Sequence, residues 1–319
     1  MDIRETTLTY PSHDGISQIR ALLWDADRDA DHTTENQRPK AILQIIHGAA
    51  EHCERYRDYA RFLVGEGFVV CAEDHVGHGQ TAASKDQLGH MPLKGGMDAL
   101  VADVHKLQEL VSAQYPDTPY CMLGHSMGSF ILRVYLAQHG QELTAAVLSG
   151  TNQQPKAISV LGHALAHLIA LFRGATYKSS LLHNMGMGAF AKAVPNANTP
   201  FDWLTNDPAV VDAYIYDDKC GMPFTAGAYA TLTELTSQMV APACAQAVPK
   251  DLPLLFVAGA EDPVGVRGEG VKAAVEQYRK AGIRQVDLHL YEGLRHEVHN
   301  EPSRDRVYRD LVDWLKLQL

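Results

Sequence analysis

A serine flanked by glycines is the residue whose sequence context points most clearly to a chemical reaction. The segment is Gly124-His125-Ser126-Met127-Gly128. A strained strand-to-helix turn of this kind leaves no room for side chains two residues before or after the serine. An apolar stretch precedes the segment and a helical pattern follows it, so the helix N-terminus would favour negative charge on the serine oxygen. The pattern predicts a serine nucleophile rather than a chance match in a loop.

A serine nucleophile at neutral pH needs a general base, and that base needs a carboxylate to orient it. The two partners are expected after the serine in the order acid, then histidine, in loops that follow late strands. Asp262 and His296 each come shortly after an apolar strand pattern. We therefore predict Asp262 as the acid and His296 as the base, with Glu261 and His299 as the alternatives.

Acyl transfer also needs two N–H donors for the oxyanion that forms during the reaction. The residue after the nucleophile, Met127, is expected to supply one of them. The other is expected from Ala49, in the turn His47-Gly48-Ala49-Ala50 that follows an early strand. A simple strand-ending turn is the alternative interpretation, but the position of the segment favours the catalytic one.

The elements that must position these residues alternate between strands and helices, which predicts a mostly parallel sheet with helices on both faces. A hairpin over 5–10 and 16–24 precedes them, and 25–39 is predicted to be a solvated loop. The predicted strands are 41–46, 68–72, 119–123, 145–148, 254–258 and 286–291, and the predicted helices are 55–65, 97–114, 129–137, 270–281 and 304–318.

The alternation is interrupted by a helical and irregular segment with glycine and methionine clusters. An insertion at this point would cover the C-terminal ends of the strands, where open α/β sheets bind their ligands. The sequence therefore predicts a catalytic domain formed by 1–150 and 236–319, with a cap over 151–235. Within the cap, 158–172 is apolar almost all round. A lipid-facing helix and a helix packed on the catalytic domain or a second copy explain it equally well.

Composition narrows the function classes. The chain has 319 residues and a net charge of −10, with no run of Lys or Arg, which argues against nucleic-acid binding. The first residues lack the apolar stretch of a secretion signal, and no unbroken run of 18 apolar residues predicts a membrane span. An odd number of scattered cysteines, five, favours a reducing cytoplasm. The oligomeric state is left open.

Metal and phosphate sites are not predicted. Four histidines, His47, His52, His75 and His78, fall on two loops without the spacing of a zinc motif. Gly77 and Gly79 are not followed by the helix start of a phosphate-binding loop. We expect no cofactor.

Several segments together carry a resemblance to a known family. They are His47-Gly48-Ala49-Ala50-Glu51-His52 with Arg55-Tyr56, Asp74-His75-Val76-Gly77-His78-Gly79-Gln80, Gly124-His125-Ser126-Met127-Gly128 and Arg295-His296-Glu297. Through them the chain resembles the monoacylglycerol lipase and lysophospholipase branch of the α/β-hydrolase family, also called serine aminopeptidase-like. The matching segments run over nearly the whole chain.

The resemblance implies an α/β-hydrolase fold with a helical cap and no cofactor. It also implies roles for particular residues: a triad of Ser126, Asp262 and His296, oxyanion donors at Ala49 and Met127, and polar head-group contacts from Glu51, Arg55, His125 and His299. Ala50 and Ser129 depart from the family pattern, which often has glycine at both positions. Both lie beside the reaction centre, so these departures bear on pocket width and acyl-chain preference.

The implied activity is hydrolysis of a carboxylic ester through an acyl-serine intermediate, with a monoacylglycerol or a similar lipid-like ester as substrate. Lysophospholipids and short-chain esters are alternative substrates, and the same machinery serves aminopeptidases. Peripheral membrane contact through the cap is one further expectation. A non-catalytic binding protein of the same fold is the alternative class; it usually lacks a triad member, and none is missing here.

Overall fold

The computed structural model describes residues 2–26 and 38–319. Among these residues, strands form a single eight-stranded sheet. In chain order they are Ile3–Pro11 (β1), Gln18–Ala26 (β2), Ala41–Ile46 (β3), Phe68–Glu73 (β4), Tyr120–His125 (β5), Ala145–Ser149 (β6), Leu254–Gly259 (β7) and Val286–Tyr291 (β8). The sheet order is β1-β2-β4-β3-β5-β6-β7-β8, antiparallel between β1, β2 and β4 and parallel elsewhere. The predicted mostly parallel sheet is confirmed.

Helices cover both faces of this sheet. They are Arg57–Gly65 (α1), Gly96–Gln114 (α2), Met127–His139 (α3), Lys156–Arg173 (α4), Ser180–Met185 (α5), Pro208–Tyr216 (α6), Ala226–Met239 (α7), Pro242–Ala247 (α8), Glu269–Lys280 (α9) and Arg304–Lys316 (α10). Apolar side chains of β3 alternate between two cores: Ile42 belongs to the core that includes α2, α3 and α9, and Leu43 to the core that includes α1 and α10. Central strands buried on both faces explain the continuous apolar runs in the sequence.

The bounds of two elements differ from those predicted from the sequence. The helix predicted from residue 55 begins as a 3₁₀ turn, Cys53–Tyr56, before α1. The solvated loop predicted over 25–39 lies mostly outside the described residues. Its first two positions belong to β2, where Asp25 is buried and accepts hydrogen bonds from Arg4 and Tyr115.

The segment between β6 and β7 holds α4 to α8 and lies at the C-terminal ends of the parallel strands. Helix α7 packs against α2 and α3, and α4 packs against α7. The cap boundary expected at residue 235 therefore falls inside α7, four residues before that helix ends.

Helix α4 has an unusual composition. Of the helices in the described part of the chain, it is the one long and apolar enough, by length and composition, to cross a membrane. The sequence predicted an apolar helix over 158–172 but no membrane span, because Ser159, Gly162, His163 and His167 interrupt the apolar run. Only a minority of its residues is buried, on the side that packs against α7.

Arg133 of α3 binds the segment between β6 and β7 at two points, Asn152 near its start and Met239 at the end of α7. Its guanidinium is fully buried and donates to the carbonyl oxygens of Asn152 at 2.7 Å and Met239 at 3.1 Å. It also donates to the amide oxygens of Gln153 and Gln277. These acceptors are all neutral, and together they compensate the guanidinium for lost water. Helix α3, which follows Ser126, thus contacts both the start of the segment and the end of α7.

Candidate active site

Ser126 occupies the sharp turn between β5 and α3, with φ 53° and ψ −120°. A positive φ at a residue other than glycine costs roughly 1–3 kcal/mol and persists only where the surroundings enforce it. The surroundings here are backbone atoms. A Cβ at Gly124 would lie 2.4 Å from the carbonyl oxygen of Gly128, and a Cβ at Gly128 would lie 2.0 Å from that of Ile46. The two flanking glycines therefore allow β5, α3 and β3 to approach closely around the serine.

His296 and Asp262 form a buried pair. Nδ1 of His296 lies 2.9 Å from Oδ2 of Asp262, and both side chains are inaccessible to solvent. Oδ1 of the same carboxylate accepts the N–H of Val264 at 2.8 Å, which fixes its orientation. Burial opposes protonation of His296, but the charge and hydrogen bond of Asp262 outweigh it, so the pKa of His296 is raised.

The second ring nitrogen of His296 is free to act as a base. Its Nε2 is buried and has no hydrogen-bond partner among residues 2–26 and 38–319. His296 and Ser126 line the same cavity. Of the two alternatives, Glu261 is exposed to solvent, and His299 stacks on Tyr56 with ring centroids 4.8 Å apart.

Two backbone N–H groups beside the serine are available as donors. The N–H of Ala49 has no partner in the described part of the chain. Met127 is the first residue of α3, where N–H groups lack an intrahelical acceptor. Ala49 and Met127 line a common cavity with Ser126. The arrangement resembles a pocket for negative charge on a tetrahedral oxygen.

A buried ion-pair network holds the loops on either side of the serine. Arg55 donates to both carboxylate oxygens of Glu297 at 2.7 Å and also to Glu51. Glu51 in turn accepts the N–H of Gly48 at 2.6 Å and the hydroxyl of Tyr56 at 2.9 Å. Because Glu297 follows His296 and Gly48 precedes Ala49, Arg55 connects the loop of His296 to the loop of Ala49.

The pKa values of the two carboxyl groups that bind Arg55 are shifted in opposite directions. Burial raises the pKa of Glu51. Burial also opposes ionisation of Glu297, yet Arg55 lowers the pKa of this second carboxyl to about 2. Arg55 thus favours the ionised form of Glu297 strongly, while burial works against ionisation of Glu51.

The structure separates the four residues expected to contact a polar head group. Glu51 and His125 line a cavity, whereas Arg55 and His299 are not among the lining residues in the part of the chain that is described. The His125 ring packs against the rings of His296 and His299, at 4.7 and 4.8 Å between centroids. Burial, together with the two neighbouring imidazoles, lowers the pKa of His125, so this residue is neutral.

Trp203 contacts His296, and the sequence did not indicate this contact. Its ring lies 5.1 Å from the ring of His296, and its carbonyl oxygen accepts the N–H of His296 at 3.4 Å. The next carbonyl oxygen, of Leu204, accepts the N–H of Glu297 at 2.7 Å. The segment between β6 and β7 is therefore hydrogen-bonded directly to the loop that carries His296. An aromatic residue in an irregular stretch was the only available signal.

Two cavities meet at Ser126. The smaller one, of about 230 Å³, is partly polar, and its lining includes Glu51, His125, His183, Asn184, Tyr214 and His296. The larger one, of about 540 Å³, is mostly apolar, and its lining includes Phe130, Ile158, Leu161, Leu165, Met185, Tyr229 and Leu232. Ala49, Met187 and Phe190 border both. A molecule with a short polar part and a long apolar part would fit on the two sides of the serine.

Ala50 and Ser129, the two departures from the family pattern, have defined contacts. Ala50 has φ 56°, and its carbonyl oxygen accepts the N–H of Gly221 at 2.9 Å and the hydroxyl of Tyr214 at 2.8 Å. The hydroxyl of Ser129 donates to the carbonyl oxygen of Ser126 at 2.6 Å. Alanine at position 50 is therefore held in a conformation that glycine adopts more readily.

Side chains that could hold a metal ion lie elsewhere. Among the described residues, two groups combine three such side chains, His52-Asp217-Cys220 and His105-His139-Glu142. Of the four histidines noted in the sequence, His52 belongs to the first of these groups, whereas the rings of His47 and His75 pack 4.0 Å apart and the backbone N–H of His75 donates to Nε2 of His47 at 3.1 Å.

Comparison with known proteins identifies the family of this chain. Residues 37–303 match the serine aminopeptidase family, S33. The chain belongs to this family. Its sequence is 28% identical over 313 residues to the monoacylglycerol lipase of Mycolicibacterium smegmatis, covering 97% of this chain and 98% of the relative. It is 28% identical to human monoglyceride lipase, over 87% of this chain and 82% of the relative.

A solved structure extends the similarity to the fold. A thermostable carboxyl esterase from Bacillus coagulans, determined with glycerol, superposes with a TM-score of 0.87 at 31% identity. The match covers 98% of this chain and 97% of the esterase. The α/β-hydrolase fold predicted from the sequence is confirmed.

The strained backbone at Ala50 generates a stability prediction. Ala50→Gly is expected to raise the free energy of unfolding by about 1 kcal/mol, because relief of the positive φ exceeds the greater entropy of glycine in the unfolded chain. Ala49→Gly is the matched control, since Ala49 has no positive φ; it should lower stability by about 0.5–1 kcal/mol. Urea denaturation of both variants measures the difference, and equal responses at the two positions would contradict the interpretation.

Proposed function

We propose that this chain hydrolyses monoacylglycerols or closely similar lipid-like esters through an acyl-Ser126 intermediate. The chain is a serine ester hydrolase of the lipase-like kind, as the similarities to lipases and a carboxyl esterase support. The observation that carries the finer proposal is the position of Ser126 where two cavities meet, a larger apolar one and a smaller one whose lining includes Glu51 and His125, beside the buried His296–Asp262 pair.

In the proposed mechanism, Nε2 of His296 takes the proton of Ser126 as its oxygen attacks the ester carbonyl. The N–H groups of Ala49 and Met127 stabilise the oxyanion. His296 then gives the proton to the leaving alcohol. Asp262 accepts Nδ1–H, which keeps Nε2 unprotonated in the resting enzyme and stabilises the imidazolium that forms. Water activated by His296 hydrolyses the acyl-serine and restores the enzyme.

The two cavities support an orientation for the substrate. The acyl chain would occupy the larger apolar cavity and the glycerol the smaller one, where Glu51 and His125 offer polar contacts. A lysophospholipid carries a bulkier, charged head group, for which about 230 Å³ offers little room. This comparison favours monoacylglycerols over lysophospholipids. Short-chain esters would leave most of the larger cavity unfilled.

We also propose that residues 151–235 act as a cap that makes peripheral contact with lipid surfaces. Leu168, Leu171 and Phe172 of α4 are mostly exposed, and Ile158 and Leu161 of the same helix line the larger cavity. A helix with its apolar side chains at the mouth of an acyl site can receive substrate from a lipid layer. A cytoplasmic location agrees with five free cysteines, of which four are buried.

The nucleophile can be tested by covalent labelling. A fluorophosphonate probe, which reacts with activated serines, is expected to label the unmodified protein and to lose all labelling in Ser126→Ala. Ser129→Ala is the matched control: it removes a neighbouring hydroxyl on the same helix and should still be labelled. Failure of the unmodified protein to react would overturn the enzymatic proposal itself.

The pair of Asp262 and His296 predicts a pH dependence. Since neutral imidazole is the active form and the pKa of His296 is raised, the acid limb of kcat/KM should lie above pH 6.5. Asp262→Asn removes the charge that opposes burial, so the limb should move to lower pH, while kcat falls about 10⁴-fold. The exposed neighbour offers a control, Glu261→Gln, which should leave the profile unchanged. An unmoved limb in Asp262→Asn would place the acid elsewhere.

The substrate class can be tested with monoacylglycerols of increasing acyl length, alongside lysophospholipids, short-chain esters and aminoacyl amides. Leu232→Trp reduces the larger cavity, so kcat/KM for long acyl chains should fall at least about tenfold while that for short chains is retained. Leu168→Trp changes an exposed leucine of α4 outside the lining and should leave the length preference intact. Faster hydrolysis of lysophospholipids than of monoacylglycerols would reject the proposed substrate.

A further inference from the structure

Three potential metal ligands meet where the catalytic domain contacts the proposed cap. His52 lies between β3 and α1, whereas Asp217 and Cys220 lie in the turn after α6. An imidazole nitrogen, a carboxylate oxygen and the thiol sulfur all lie within 4.8 Å of one another. The reaction proposed above uses none of these side chains.

The combination of donor atoms indicates the class of metal. Zinc binds imidazole nitrogen, thiolate sulfur and carboxylate oxygen at 2.0–2.3 Å, most often with four ligands in a tetrahedron. Magnesium and calcium instead take oxygen ligands, and a thiol in the set disfavours both. Three protein ligands would leave a fourth position for water.

The backbone already arranges the two cap ligands. The N–H of Cys220 donates to the carbonyl oxygen of Asp217 at 2.9 Å, which closes a turn with two residues between the ligands. This spacing is within the range found for paired ligands of structural zinc sites. Gly221 follows with φ 65°, and its N–H donates to the carbonyl oxygen of Ala50. The turn is therefore attached to the loop that carries His52.

The carboxylate is oriented towards the imidazole. Oδ1 of Asp217 accepts the N–H of Lys219 at 2.9 Å, and Oδ2 lies 2.8 Å from Nε2 of His52. The side chain of Asp217 is 33% exposed, compared with 5% for His52, so an ion can enter from solvent on the aspartate side. One oxygen is thus held by the backbone while the other faces the position that an ion would occupy.

We propose that His52, Asp217 and Cys220 bind a Zn²⁺ ion that bridges the proposed cap and the loop after β3. Binding replaces the S–H bond of Cys220 with a Zn–S bond and releases the thiol proton to water. It also replaces the direct His52–Asp217 contact with two metal–ligand bonds; Nε2 of His52 gives up its proton to water as Nδ1 takes one up, so the bound imidazole stays neutral. No electron transfer is involved.

A second group of metal-binding side chains provides an internal control. His105, His139 and Glu142 lie on α2, on α3 and in the 3₁₀ turn that follows, with the two imidazole rings stacked 3.8 Å apart. This group has no sulfur ligand and lies within the catalytic domain alone. A metal ion bound here would lack the spectroscopic signature of a thiolate.

Cobalt substitution tests the proposed ligands. Co²⁺ added to the full chain should give a thiolate-to-cobalt charge-transfer absorption that equimolar Zn²⁺ displaces. Cys220→Ser should abolish this absorption, because Cys220 is the one cysteine of the five that is not buried. Asp217→Asn should weaken Zn²⁺ binding on the order of 100-fold. The double variant His105→Gln, His139→Gln should retain the absorption.

The bridging role is tested by thermal unfolding of the same proteins. Zn²⁺ should raise the Tm of the unmodified chain, and His52→Gln, which removes the ligand on the catalytic side, should abolish this rise. Absence of the charge-transfer absorption in the unmodified chain, or its persistence in Cys220→Ser, would overturn the proposal. A Tm rise that survives His52→Gln would overturn the bridge. Labelling of Ser126 is a separate readout, so failure of the metal site and failure of the catalytic proposal are distinguishable.

Discussion

The buried guanidinium of Arg55 is the interaction on which the geometry of the site depends. It binds two carboxylates that belong to different loops, Glu51 near the proposed oxyanion donor and Glu297 next to the proposed base. A buried cation with one partner removed typically destabilises a protein by about 3–5 kcal/mol, so neither loop can move away cheaply. Ser126 lies between these loops at the end of β5. The serine, the proposed oxyanion donor and the proposed base are therefore fixed relative to one another.

A second constraint acts through sterics rather than charge. The close approach of β3, β5 and α3 at the elbow excludes side chains from Gly124 and Gly128 and forces Ser126 into a positive φ. Packing of the central strands on both faces stabilises this arrangement, because the sheet cannot relax without exposing its two cores. Backbone strain at Ser126 is therefore maintained by the same apolar contacts that hold the fold.

Much of this could be predicted from the sequence because the signals are local. Apolar runs located the central strands within about one residue at their starts, and Gly-x-Ser-x-Gly located the elbow. The pairing of His296 with Asp262 followed from chain order after late strands, and the two side chains do lie in contact. These features repeat a short pattern or a fixed order, which a single sequence displays.

The remaining features depend on contacts between distant residues. Arg55 was expected to contact a head group, yet its described hydrogen bonds join it to carboxylates, one of them 242 positions away. Trp203 lies in an irregular stretch with no periodicity to indicate that it packs on His296. The Arg55–Glu297 pair depends on how the loops after β3 and β8 meet, and the Trp203–His296 contact depends on the path of the segment between β6 and β7. Neither arrangement has a short sequence signature.

The anchoring of that segment by Arg133 has a consequence for diversity within the family. Because one side chain binds the carbonyl oxygens of Asn152 and Met239, these two points of the segment are held close to α3 whatever the path of the chain between them. Sequence and length can then drift in the intervening stretch without disturbing β6 and β7. Changes in this stretch can therefore alter the shape of the cavities that lead to Ser126 while the sheet beneath them is preserved.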